Sequence, residues 1–289
     1  MTTLSPQTLE RFVDRTDEMQ RFLALLDDPQ KFVMNIWGDS GMGKSWLLGK
    51  MIHHTSLRGL KKAEIVWGST RPYDFLGVMR KCRDDLGAPS FPEFTAAANQ
   101  AAVFEMRLSV EGEVRVAERA QFERSTVRDI TGMAVHDNMF VLPPAEATAR
   151  VERMMALTDI FVREMAQFLS GTVKPVVLFL DSVERMSVET RDWIWDELLC
   201  AIYDGRLVGL KVILCGIDEP PHKQDFADGT EDAELRELPF EDVCDYLRLR
   251  GINDSVELLA QMLIAAAKSS KPVDVATAVD GYLRSGNRR

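Results

Sequence analysis

Eight consecutive residues, Gly38-Asp39-Ser40-Gly41-Met42-Gly43-Lys44-Ser45, carry three glycines, a lysine and a serine in the spacing G-x-x-x-x-G-K-[ST]. Glycines let the backbone curl so that successive N–H groups face one anion, and a helix starting directly after them adds the positive end of its dipole. In that arrangement Lys44 reaches the β- and γ-phosphates of a nucleoside triphosphate and the Ser45 hydroxyl binds Mg²⁺. Such a site also needs an acidic group at the tip of a neighbouring strand, and the apolar run Val176 to Leu180 ends in Asp181, the one residue of the chain so placed. Glu184, three residues on, fits either the base that activates an attacking water or a solvated charge in the turn that follows.

Other reactive residues read more plainly. The run Val212 to Cys215 leads into Gly216-Ile217-Asp218, a strand tip where a polar γ-phosphate sensor often stands, yet here the residues are Cys and Ile, and Asp218 reads as a turn residue. His53 and His54 have no third ligand near them in sequence and read as helix-end residues, and Trp193 and Trp195 read as packing residues. The tail Arg284 to Arg289 reads as a solvated end. Cys82, Cys200, Cys215 and Cys244 lie far apart without metal-ligand spacing, which predicts buried thiols in a reducing compartment.

The elements that must position these residues follow from hydrophobic periodicity. Met19, Phe22, Leu23 and Leu26 predict a helix over Thr16 to Leu26 with Thr16 as N-cap. Phe32 to Trp37 then reads as a buried strand directly before the glycine-rich turn, and Lys44 to His54 as the helix directly after it. A strand at Ala63 to Trp67 and a helix at Tyr73 to Leu86 continue the alternation, which predicts parallel pairing. A helix at Ala145 to Leu169, the strand ending at Asp181, a helix at Thr190 to Tyr203 and a strand at Lys211 to Cys215 follow. Between them, Ser90 to Pro144 reads as an insertion containing β-hairpins, on the alternation of Leu108, Val110, Val114 and Val116. The last stretch is helical: Phe240 to Leu249, Ser255 to Ala267 and Pro272 to Leu283.

The expected fold is therefore α/β: a P-loop NTPase core of three layers (α/β/α) with a parallel sheet over residues 1–235, interrupted at about 90–144, then a small all-helical lid at 236–289. With 46% hydrophobic and 28% charged residues, the composition excludes collagenous and wholly disordered classes. Neither a membrane-length apolar run nor an apolar N-terminal signal region occurs, which predicts a soluble, cytoplasmic chain. The formal charge of −10 argues against nucleic acid as a partner, since a global basic surface is missing.

The run Phe12-Val13-Asp14-Arg15-Thr16-Asp17-Glu18 ahead of the loop resembles the F-V-G-R-x-x-E segment of STAND ATPases (signal-transduction ATPases with numerous domains) and their AAA+ relatives. Ile65-Val66-Trp67, the strand ending at Asp181, the strand ending at Gly216, Leu238-Pro239-Phe240 at the start of the lid and Ser270-Lys271-Pro272 at the family's G-x-P match in the same order. The resemblance implies a switch that holds ATP or ADP with Mg²⁺ between core and lid, Arg15 near the base or ribose edge and Pro272 packed on adenine. It also implies control of homo-oligomerisation or of a partner effector protein, often in signalling or defence. Asp14 for the usual Gly, Ser182 for a second acidic residue and Ile217 for an arginine sensor depart from the family and point to slow hydrolysis. After core and lid, few residues remain to carry an output, so that the chain is expected either to be a fragment or to work with partner proteins, a stand-alone ATPase subunit being the preferred reading. An AAA+-type motor or loader on DNA or protein is the alternative, a small-molecule kinase and an interaction module with structural nucleotide being further readings.

Overall fold

A computed structural model describes residues 15–68, 73–100, 144–220 and 224–286. Five parallel strands form one sheet in the order β2-β3-β4-β1-β5: β1 (Val33–Trp37), β2 (Lys62–Val66), β3 (Val176–Asp181), β4 (Leu210–Cys215) and β5 (Thr230–Glu234). All six residues of β3 and of β4 are buried, as their unbroken apolar runs require for strands covered on both faces. Lys211 on β4 is the exception in type, and its ammonium donates to the carbonyls of Asp28 and Lys31.

Helices α1 (Thr16–Asp27), α2 (Lys44–Leu57) and α3 (Phe75–Leu86) alternate with the strands, α4 (Pro144–Ser170) precedes β3 in sequence, and α5 (Val188–Trp193) continues through a π-turn, Ile194–Leu198, into α6 (Leu199–Tyr203). One core cluster joins α1, β1, α2, β3 and β4 through Phe22, Leu25, Met34, Ile36, Leu47, Met51, Phe179 and Ile213. The C-terminal helices α7 (Phe240–Leu249), α8 (Val256–Ala267) and α9 (Pro272–Gly286) enclose a separate cluster of Val243, Leu247, Ala260, Val275 and Val279.

The described residues 88–100 and 144–165 belong to a second compact unit. Within it the stretch 92–100 is helical, with Phe91 stacked on Phe161 at 6.0 Å and Phe94 edge-on to the same ring at 5.3 Å. Buried Glu164 accepts the amides of Glu93 and Phe94, each at 2.8 Å, and so caps that stretch. The hairpins expected over Leu108 to Val116 lie outside the described residues.

Three local readings are corrected. Arg15, in the left-handed region at φ 69, is the N-cap of α1, so Thr16 opens the helix instead of capping it. Ser187 caps α5 through its hydroxyl on the Thr190 amide, which starts that helix before Thr190. Edge strand β5 is an addition: Thr230-Glu231-Asp232-Ala233-Glu234 has a single buried apolar residue, Ala233, and its charges suit an unpaired sheet edge. Among the described residues no helix is long and apolar enough to cross a membrane.

Candidate functional site

The loop 38–43 leaves the carboxyl end of β1 and feeds α2 without an intervening residue, so the first-turn amides of α2, which have no intrahelical acceptors, open onto the loop. Gly38 sits at φ 149, where an added Cβ would stand 2.6 Å from the Leu235 carbonyl oxygen. Gly41 sits at φ 88, and a Cβ there would meet Val273 Cγ1 at 2.5 Å. Both positions therefore need glycine twice over, for conformation and for space. The Gly38 amide donates to the Ile217 carbonyl at 3.2 Å, which ties the loop to the exit of β4. Lys44 Nζ donates to the carbonyls of Gly38 (2.5 Å) and Asp39 (2.7 Å), so its charge lies over the loop itself. Ser45, one residue on, is exposed on the first turn of α2.

Asp181 closes β3 at the same sheet edge, in register with Cys215 of β4. It is 8% exposed, and burial pushes its carboxyl above the usual carboxylate range, against the stabilising amide of Ser182 and the Cys215 thiol. The nearby charge of Glu184 raises it further and that of Lys44 lowers it, so loop lysine, strand-end aspartate and Glu184 share one electrostatic neighbourhood. The chain reverses at Ser182 (φ 63, left-handed), which carries Glu184 back over the tip of β4. There Glu184 Oε2 would be 3.4 Å from a Cβ on Gly216, and Val183 Cγ2 2.7 Å, so residue 216 has to be glycine for this packing. Cys215 is fully buried and its thiol is pushed well upward by burial. Glu184 thus packs at the site, with an ion pair to Arg185 at 3.8 Å.

Arg15 and Pro272 also arrive at the loop. The Arg15 guanidinium, 5% exposed as a residue, donates to the Met42 carbonyl (3.3 Å) and the Arg236 carbonyl (2.5 Å) and faces Glu18 at 3.5 Å. Pro272 is the first residue of α9, where a missing N–H costs nothing, and the next amide, Val273, donates to the Gly41 carbonyl at 3.3 Å. Lys271 Nζ reaches Asp39 Oδ2 at 3.1 Å. Lys271 and Cys215, named in the sequence only as part of Ser270-Lys271-Pro272 and as the tip of β4, both make contacts here, with Asp39 and Asp181.

Other singled-out residues fall elsewhere. Trp193 and Trp195 are buried packing residues, His53 and His54 meet ring to ring at 6.3 Å near the end of α2, and Asp218 lies in a bend after β4. All four cysteines are free thiols. Among the described residues no group of three or more His, Cys, Asp and Glu side chains could hold a metal ion by itself. The donor set at the loop suits a metal that arrives with phosphates: one hydroxyl, one buried carboxylate and open ligand positions left for phosphate and water. Glycine turn, helix N-terminus and lysine together fit a polyphosphate.

No protein-family model and no curated protein matches the sequence. Solved structures do. Cdc6p from Pyrobaculum aerophilum superposes with a TM-score of 0.52 at 11% identity, over 100% of this chain and 66% of that one. A STAND protein with a tetratricopeptide repeat sensor, from Pyrococcus horikoshii, gives 0.43 at 13% identity over 90% of this chain and 28% of that one. The replication initiator DnaA bound to AMPPCP and single-stranded DNA gives 0.46 at 13%, over 99% and 70%. The chain thus spans 28% of the STAND protein and 66% of Cdc6p. At these identities the likeness is one of fold, a parallel α/β core followed by a helical region.

Proposed function

We propose that this chain is an ATP-binding molecular switch, STAND-like in its logic, with a core to residue 235, a helical lid from 236 and slow hydrolysis. The observation that carries the reading is the convergence of Lys44, Asp181 and Glu184 with the glycine loop at the carboxyl edge of the parallel sheet, where open α/β sheets bind ligands. In this reading the loop residues Gly38 to Ser45 hold the phosphates, Ser45 and Asp181 hold Mg²⁺ and Glu184 orients the attacking water. Arg15 and Pro272 flank the base.

Bound ATP with Mg²⁺ would supply a transferable γ-phosphoryl group and a different set of loop contacts from ADP. Slow turnover follows from two substitutions at the site. Ser182 puts a neutral residue after Asp181, and Ile217, 42% exposed, offers no charge to the γ-phosphate. The lid's direct contacts with the loop give a route from nucleotide state to the helices at its surface, and so to oligomerisation or a partner effector in signalling or defence. The charge of −10 favours a protein partner in the cytoplasm over nucleic acid.

The test is steady-state turnover together with mass in Mg²⁺-ATP and Mg²⁺-ADP. Slow, concentration-independent turnover with an assembly or partner affinity that differs between the two nucleotides supports a switch. Turnover that climbs steeply with protein concentration or on adding DNA overturns it in favour of a motor or loader.

A further inference from the structure

Three contacts bracket the phosphate loop. Lys271 holds the Asp39 carboxylate, the Val273 amide holds the Gly41 carbonyl, and Arg15 holds the Met42 carbonyl. The first two come from the start of α9, and the third comes from the residue that precedes α1. Arg15 is distinctive because its other donor contact goes to the Arg236 carbonyl, in the segment that joins β5 to the C-terminal helices. That same segment is fixed one step further on by the Leu238 amide, which donates to the Ser270 carbonyl at 3.0 Å, and by Glu237, which accepts from the Ser270 amide at 3.1 Å.

A closed circuit results: loop, Arg15, hinge, α9, loop. Each link is a hydrogen bond between parts of the chain far apart in sequence. The guanidinium is buried, and the Met42 carbonyl that it holds is left without a partner in a buried place if it is removed. Both bonds come from one terminal nitrogen, Nη2, which lies one bond beyond the point that a lysine Nζ reaches on the same stem. The strained left-handed backbone at Arg15 (φ 69) holds the side chain at the point where α1, loop and hinge meet.

We infer that Arg15 is a positioning residue that couples the phosphate loop to the lid hinge, fixing how the C-terminal helices seat on the loop. This goes beyond the role of a residue flanking the base and rests on the core-and-lid reading above. Movement of the Met42 carbonyl shifts the same side chain that holds Arg236, so the two segments respond together.

The experiment is amide hydrogen exchange on the full chain, wild type against Arg15→Lys and Arg15→Gln, first without nucleotide. Val273 and Leu238 are the reporters and Leu235, whose amide donates to the Trp37 carbonyl at 2.7 Å within the sheet, is the internal control. Coupling predicts exchange at Val273 and Leu238 faster by about tenfold in both variants, the scale of one lost charge-assisted hydrogen bond, with Leu235 unchanged. Arg15→Lys keeps the charge and the packed stem, so it guards against a variant that merely unfolds. Unchanged exchange at Val273 and Leu238 in Arg15→Lys overturns the inference. A second arm adds Mg²⁺-ADP to the wild type: absence of any protection of the loop amides refutes the nucleotide reading, while leaving the nucleotide-free result to judge Arg15 alone.

Discussion

At the scale of single residues, Asp181 carries opposing demands. As the proposed Mg²⁺ ligand it must be ionised, yet burial raises its carboxyl pKa, so the folded chain bears a cost for its charge at neutral pH. The folded state binds its proton more tightly than the unfolded state, where the value is near 3.8. The cost is therefore absent below the unfolded value and fully present above the folded one. Asp181→Asn is expected to raise Tm at neutral pH, by about 2–4 °C per kcal/mol relieved, with the gap closing as both proteins are acidified. The same variant should lose the Mg²⁺-dependent part of nucleotide binding; thermal scans from pH 4 to pH 8, roughly spanning the carboxylate range, with and without Mg²⁺-ADP check both effects.

At the scale of elements, two packing contacts can be broken singly. Phe22 of α1 is fully buried, 6.2 Å from Phe179 of β3 between ring centroids, and Phe22→Ala should lower unfolding free energy by about 3–5 kcal/mol in urea titration. Gly41→Ala meets both the positive φ and the Val273 methyl, whereas Val273→Ala clears the methyl only. A double-mutant cycle should give a coupling of about 0.5–3 kcal/mol, the double variant regaining part of the loss but not the backbone strain.

The same elements divide what the sequence discloses from what it hides. Strands β1, β3 and β4 and the helix after the loop were legible because buried parallel strands are unbroken apolar runs, and the loop motif fixed the order of strand, turn and helix. Strand β5 was hidden because Thr230-Glu231-Asp232-Ala233-Glu234 carries almost no apolar signal, and only its pairing to β1 along Val33 to Trp37 makes it a strand. Asp181 was legible by position. Its nearness to Glu184 was not, since it depends on a left-handed Ser182 and on the space left by Gly216. The hold of Arg15 on Arg236 joins residues 221 positions apart, beyond any periodicity.

At the scale of the whole molecule, the loop at the end of β1 touches the start of α9 through Asp39 and Gly41 and touches Arg15 through Met42, the contacts on which the proposed coupling of loop and lid rests. Sedimentation in Mg²⁺-ATP and in Mg²⁺-ADP should give different masses or, if the output is a partner, the same mass with different hydrogen-exchange protection of α9. All of this depends on nucleotide entering the loop. Titration calorimetry of the full chain with Mg²⁺-ATP, beside Lys44→Ala, is the direct measurement. The account predicts one site per chain, weakened in the variant by about 10- to 100-fold, the worth of one or more hydrogen bonds to a charged phosphate. Equal affinity in the two proteins, or no binding by the wild type, would contradict it.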